Sequence, residues 1–201
     1  MIAGYSQKPT HFRRQSIKNV FIRHGEPDKT LVDERGFIGQ GRDLAPLSPL
    51  GVQQAEAVSA DPLLQGGQII VVSPYTRALQ TAAILSRNIQ KEIKVEVDLH
   101  EFIPDKTFRV KGEEEDYLLH KDFRKCHGEY PEGEARNWET ISEIIARTKP
   151  VFDRYLSGGY EKIIVVAHGG VIRRYTGVAD IPHCGVTEVE YTKDFKCYGW
   201  V

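Results

Sequence analysis

Three short runs, Val20-Phe21-Ile22, Ile69-Ile70-Val71-Val72 and Ile163-Ile164-Val165-Val166, are apolar, rich in β-branched residues and free of polar alternation. A strand with one wet face alternates. A strand that does not alternate must be covered on both faces, which is the situation of a parallel sheet with helices packed above and below it. Helical patterns lie between the runs. Ser48-Pro49 opens one that continues through Val52, Ala55 and Val58, and Ser73-Pro74 opens another through Ala78, Leu79, Ala82 and Leu85; each reads as a serine cap with proline at the first helical position. A third places Ile141, Ile144, Ile145, Thr148, Phe152 and Tyr155 at helical spacing, with Pro150 expected to kink it or begin a new turn. Val95 to Leu99 and Val186 to Tyr191 are further candidate strands, the second alternating as an edge strand does. The expectation is an α/β fold, a three-layer α/β/α sandwich on a mostly parallel central sheet.

Residues 102–137 break this grammar with mixed charge, Pro104, Gly112 and the run Glu113-Glu114-Glu115-Asp116, and read as an inserted lid of helices and loops. The acidic run suits the first turn of a solvated helix and lacks metal-ligand spacing. Residues 1–16 read as a polar tail and 17–201 as a single domain, since 201 residues at 40% hydrophobic content suffice for one core. Lys+Arg and Asp+Glu number 27 and 28, net charge -1, so no overall field recruits nucleic acid or an anionic membrane. Cys126, Cys184 and Cys197 show no CxxC spacing, and no run has the length of a membrane span or the form of a secretory signal. A reducing, cytoplasmic setting is expected, without metal or cofactor.

The polar residues that matter follow the apolar runs: Arg23-His24-Gly25-Glu26 after the first, Ser73-Pro74-Tyr75-Thr76-Arg77 after the second, Ala167-His168-Gly169-Gly170 after the third. Ligands of open α/β sheets bind beyond the carboxyl ends of the strands, where helix N-termini also point. Taken singly, Arg23 reads as a salt-bridged strand end, and His24 or His168 as a core histidine. If the three strands are neighbours, two arginines and two histidines converge, and that concentration of donors calls for an anion, phosphate above all. A neutral imidazole can attack phosphorus. Arg23 and Arg77 would lower the pKa of His24 and favour that form, while Gly25 would let a phosphate approach the backbone. Breaking a phosphate ester also needs an acid for the leaving oxygen; Glu101, just past a predicted strand end, is the leading candidate, with Glu26 behind it.

Arg23-His24-Gly25-Glu26, Ser73-Pro74-x-x-Arg77-Ala78-x-x-Thr81-Ala82, Glu101, Pro131-x-Gly133-Glu134 and Ala167-His168-Gly169-Gly170 stand in an order that strongly resembles the histidine phosphatase superfamily, also called phosphoglycerate mutase-like. Leu47-Ser48-Pro49-Leu50-Gly51-Val52-Gln53-Gln54-Ala55 is similar to a further helix start of that family. The resemblance implies a phosphohistidine at His24, phosphate oxygens held by Arg23, Arg77 and His168, and Glu101 as proton donor and then activator of water, with no metal. Thr30 stands where mutases of the family carry asparagine, and Phe102-Ile103-Pro104-Asp105-Lys106 replaces the stretch expected after the acid. The resemblance therefore implies a phosphatase acting on a small phosphorylated substrate or a phosphoprotein. A mutase-type phosphoryl transfer and a non-catalytic phosphate-binding protein are the alternatives. Lys106, Arg109 and Lys111 are candidates to hold a second anionic group.

Overall fold

The computed structural model describes residues 15–201. The tail expected over residues 1–16 lies, up to residue 14, outside the described residues, and Ser16 is already the first residue of strand β1. The sheet has five strands, β1 (Ser16–Arg23), β2 (Ile70–Val72), β3 (Ile93–Val95), β4 (Lys162–Ala167) and β5 (Val186–Thr192), in the order β3-β2-β4-β1-β5. All pairings are parallel except that of β5, which runs antiparallel to β1 at one edge.

The absence of alternation in the apolar runs has a direct cause. Val20, Ile22, Ile70, Val72, Ile164 and Val166 point to one face, where they pack with Val58, Ala78, Ala82 and Leu85 of helices α2 (Pro49–Val58) and α3 (Thr76–Ile89). Phe21, Val71, Ile163 and Val165 point to the other, against Ile144, Val151 and Phe152 of α5 (Ile141–Ser157) and Val171, Ile172 and Tyr175 of α6 (Gly169–Thr176). Two cores, one on each side of one sheet, make the three layers.

Several elements differ from the sequence expectation. Ser48 does cap α2, accepting from the Gly51 N–H at 3.0 Å. By contrast α3 starts at Thr76 with Tyr75 at the cap position, because the Ser73 hydroxyl is engaged with His168 instead. The strand expected over 95–99 is shorter and earlier, Ile93–Val95, and residues Val97–Leu99 form a 3-10 turn. Helix α5 runs unbroken through Pro150. Burial of Ile144, Thr148, Val151, Phe152 and Tyr155 along one face outweighs the one backbone bond that proline removes. Its start is fixed by a capping box in which Thr140 and Glu143 exchange side-chain to backbone hydrogen bonds.

The segment read as a lid holds one helix, α4 (Glu113–Lys125), whose first turn carries the acidic run, flanked by loops. It rests on the domain through Phe123, which lies edge-on to Trp138 at a centroid distance of 5.2 Å and tilted against Phe102 at 4.4 Å, and through Asp122, which accepts from the Trp138 indole at 2.9 Å. A short helix α1 (Thr30–Glu34) and a 3-10 segment (Gly39–Leu44) complete the approach to the sheet's carboxyl edge. No described helix is long and apolar enough to cross a membrane.

Candidate active site

Register assembles the site. β4 lies between β2 and β1, with Arg23 opposite Ala167 and Val72 opposite Val166. The next residue of each strand therefore falls at one level: the His24 N–H donates to the Ala167 carbonyl at 3.0 Å, and the Ser73 N–H to the Val166 carbonyl at 3.1 Å. The neighbouring strands expected from the motifs are real, and they bring His24, His168, Arg23 and Arg77 together. The two histidine rings lie 5.0 Å apart. Beyond them opens a cleft of about 350 Å³, lined among others by Arg23, His24, Arg77, Glu101, Asp43 and Tyr75.

The protonation of His24 follows from its neighbours. Nδ1 lies 2.7 Å from the Gly25 carbonyl oxygen, which can only accept, so the ring proton sits there. The Arg77 Nε–H, which can only donate, points at Nε2 from 3.2 Å. Nε2 thus carries the lone pair toward the cleft's cations. Burial is the larger cause that holds His24 well below the usual imidazole pKa; Arg77 comes next, then Arg23 and His183. The two arginines are legible in the sequence, whereas burial, the larger cause, comes from the fold.

His168 is fully buried and held well below its usual pKa by burial first and by Arg77 second. Its Nε2 is 2.7 Å from the Ser73 hydroxyl, which also accepts from the Tyr75 N–H at 3.3 Å. The hydroxyl can still either donate to Nε2 or accept from it, and Nδ1 is a buried atom without a hydrogen-bond partner among the described residues. Arg23 donates through Nη1 to the Ile181 carbonyl at 2.6 Å, its buried Nε has no partner among the described residues, and burial lowers its pKa.

Glu101 lines the cleft on a loop that two features fix. Its Oε1 accepts from the Phe102 N–H at 2.8 Å and from the Gly170 N–H, in the first turn of α6, at 3.0 Å; Oε2 makes no hydrogen bond to the described residues. A Cβ at position 170 would lie 2.3 Å from Oε1, so the second glycine of His168-Gly169-Gly170 is what allows the carboxylate to seat on the helix end. Behind the loop, Arg147 pairs with buried Glu139 at 2.6 and 3.0 Å and donates to the Asp98 and Glu101 carbonyls.

Other expected residues sit elsewhere. Glu26 turns away from the cleft lining, accepting from the Ser48 hydroxyl at 2.9 Å while its N–H donates to Gln54. Gly25 is needed for a different reason from the one the sequence suggested: a Cβ there would meet the Gly51 carbonyl oxygen at 2.5 Å, so it lets α2 close on the end of β1. Lys106 is tied to Glu143 at 2.6 Å and to the Tyr130 hydroxyl at 2.9 Å, and neither it, Arg109 nor Lys111 lines the cleft; Lys29 does. Arg77, expected to await an anion, already pairs with Asp43 at 2.8 Å. Asp43, Tyr75 and His183, whose ring lies 5.5 Å from that of His24, are cleft residues to which the sequence reading gave no role.

The family model of the histidine phosphatase superfamily (branch 1) matches residues 20–194. The chain belongs to that superfamily. It is 30% identical over 153 residues to an uncharacterized phosphatase, PhoE, of Bacillus subtilis, covering 75% of this chain and 71% of the relative. Among solved structures, a mycobacterial glucosyl-3-phosphoglycerate phosphatase in complex with inorganic phosphate superposes with a TM-score of 0.64 at 21% identity, over 86% of this chain and 88% of that one. A variant of phosphoserine phosphatase from Entamoeba histolytica, in complex with phosphoserine, gives 0.61 at 23%, over 90% and 96%. These phosphatases share the fold described above. Family and sequence relatives together make the chain a phosphatase, a phosphoric monoester hydrolase.

Proposed function

We propose that this phosphatase hydrolyses a small phosphomonoester in two displacements at His24. Its Nε2 lone pair attacks phosphorus as the bond to the leaving oxygen breaks, and Glu101 gives that oxygen its proton. The resulting carboxylate then takes a proton from water, whose oxygen attacks phosphorus, breaks the phosphorus–nitrogen bond and returns His24. Arg23, Arg77 and the Nδ1–H of His168 hold the equatorial oxygens, so that fixed positive groups meet the charge as it develops and no metal is required. The supporting observation is the paired fixing of His24, Nδ1 on a carbonyl and Nε2 facing a guanidinium. A cleft of about 350 Å³ suits a small leaving group rather than a folded phosphoprotein. Three free thiols fit a reducing, cytoplasmic setting.

The test is turnover of an aryl phosphate in chelator, for the native chain and His24→Ala, with a search for acid-labile, base-stable phosphate on the protein. Activity that survives chelation, vanishes in the variant and leaves labelled native enzyme is expected. Full hydrolysis by His24→Ala would refute the reading, and phosphate binding without turnover would favour a binding module.

A further inference from the structure

Residues 102–110, which take no part in the two displacements, form one wall of the cleft. Phe102, Ile103, Pro104, Phe108 and Val110 all line it, and they follow Glu101 directly in the chain. An acid that protonates the leaving oxygen lies beside it, so whatever that oxygen carries extends from Glu101 over the surface next to it. The polar groups of this wall are already engaged. Asp105 accepts from the Thr107 N–H at 2.9 Å and the Arg109 N–H at 2.8 Å, and from the Thr107 hydroxyl as well. His120, from α4, has its Nδ1 2.8 Å from the Asp116 carbonyl oxygen and its ring edge-on to Phe102 at 5.3 Å.

Phe108 is the odd member of the wall. Phe102 and Val110 are buried, whereas Phe108 leaves 41% of its surface to solvent and has a backbone φ of 56°. A bulky residue in the left-handed region is strained, and it persists there only where its surroundings dictate the conformation. Here they do. The Phe108 N–H donates to the Asp105 carbonyl at 3.0 Å, the Asp105 carboxylate ties down the residues on either side, and the Gly39 N–H donates to the Val110 carbonyl at 2.9 Å. Gly39, at φ 51°, has to be glycine, because a Cβ there would collide with the Phe108 carbonyl oxygen. The loop is pinned on both sides of an apolar side chain that the protein leaves partly uncovered.

We infer that Phe108 is a specificity-determining residue: with Ile103 and Pro104 it forms a platform for the substrate's leaving group, and the phosphatase favours monoesters whose alcohol carries an apolar aromatic group. Such a group covers the Phe108 ring and takes apolar surface of both partners out of water. Lys29, which also lines the cleft, would favour a carboxylate-bearing alcohol instead, and the test separates the two. The inference rests on the hydrolysis proposed above, with Glu101 beside the leaving oxygen.

Phe108→Asn tests it, because asparagine accepts the left-handed backbone and removes only the ring. kcat/KM is measured for 2-phenylethyl, ethyl and 2-carboxyethyl phosphates, alkyl esters whose leaving oxygens are similarly basic. The native chain should prefer the phenylethyl to the ethyl ester by about tenfold, the size of a partly buried aromatic contact. Phe108→Asn should lose most of that preference and Phe108→Tyr keep it, while the ethyl ester and inhibition by inorganic phosphate stay near native; a residue that only braces the loop would lower all three esters together. Equal native values for the phenylethyl and ethyl esters, a preference that survives Phe108→Asn, or a preference for the carboxyethyl ester would overturn the inference. Calorimetry with the matching phosphonates, which cannot be cleaved, reads the same ratio as affinity. A chain that turns over none of the esters would end the proposed hydrolysis, and the phosphonate ratio would still decide the role of Phe108. If Phe108→Asn melts early, Phe108→Gly is judged by the same criterion.

Discussion

Gly170→Ala is the sharpest probe of the proposed acid. The added methyl would sit 2.3 Å from Glu101 Oε1 and 3.1 Å from the Phe102 Cβ. Ordinary contact needs roughly 1 Å more, and the flexible carboxylate end is what yields. The backbone N–H of residue 170 survives, but its 3.0 Å bond to Oε1 does not, which costs about 1.5–3 kcal/mol for a bond to a charged acceptor. Most of that falls on the position of the carboxylate, since the helix itself gains slightly from alanine. A misplacement of about 1 Å in a reacting group can cost a hundredfold in rate. The expected result is a fall in kcat/KM, which reports the first displacement alone, of about 10²-fold on an alkyl phosphate, whose leaving oxygen needs the proton, and a much smaller fall on an aryl phosphate with an acidic leaving group. Affinity for inorganic phosphate should stay near native, because His24, Arg23 and Arg77 do not move. Steady-state kinetics on the two esters, with phosphate as competitive inhibitor, reads all three. Equal losses of kcat/KM on both esters would show that Glu101 is not the acid.

Arg147→Ala leaves Glu139 buried without its cation and should cost about 3–5 kcal/mol in urea unfolding; it also frees the loop of Glu101, so kcat falls more than KM rises, and unchanged stability would argue against the clamp. His24 and His168 are neutral in the fold because their pKa values lie well below the unfolded value near 6.5. The unfolded chain therefore binds more protons as pH drops below about 6.5, and stability that is complete above that pH is lost toward the folded-state values, at up to about 1.4 kcal/mol per pH unit for each ring. Denaturant midpoints at pH 7.5, 6.0 and 5.0 should show this decline, and a flat profile would contradict the buried neutral state.

The sheet was legible because its central strands are sealed on both faces, and that condition writes itself into Val20-Phe21-Ile22 and Ile163-Ile164-Val165-Val166 as uninterrupted apolar runs. The carboxyl-end cluster was legible for the related reason that His24, Arg77 and His168 have no business at a core edge without an anion. Ser73 misled, since a serine before a proline looks like a cap whether or not its hydroxyl is spoken for by a histidine 95 residues away. The strand near residue 95 was misplaced because β3 is a short, exposed edge strand that packing scarcely constrains. Asp43 could not be found: an acidic residue in a polar loop is unremarkable until the fold sets it against Arg77. Gly25 and Gly170 were visible as glycines, but which neighbour each one admits is a fact of packing.

The place of β1 in the sheet bears on how the protein comes to exist. It lies inside the sheet between β4 and β5, and its first residue bonds to one 174 positions further on. During synthesis the first strand leaves the ribosome long before either of its neighbours has been made, with Phe21 and Ile22 uncovered and both backbone edges open. Until β4 arrives, the nucleophile's strand is a sticky, unpaired segment and a natural client for a chaperone. Catalytic competence should then be the last property a refolding chain acquires, which makes recovery of turnover a stricter clock of native assembly than helix signal.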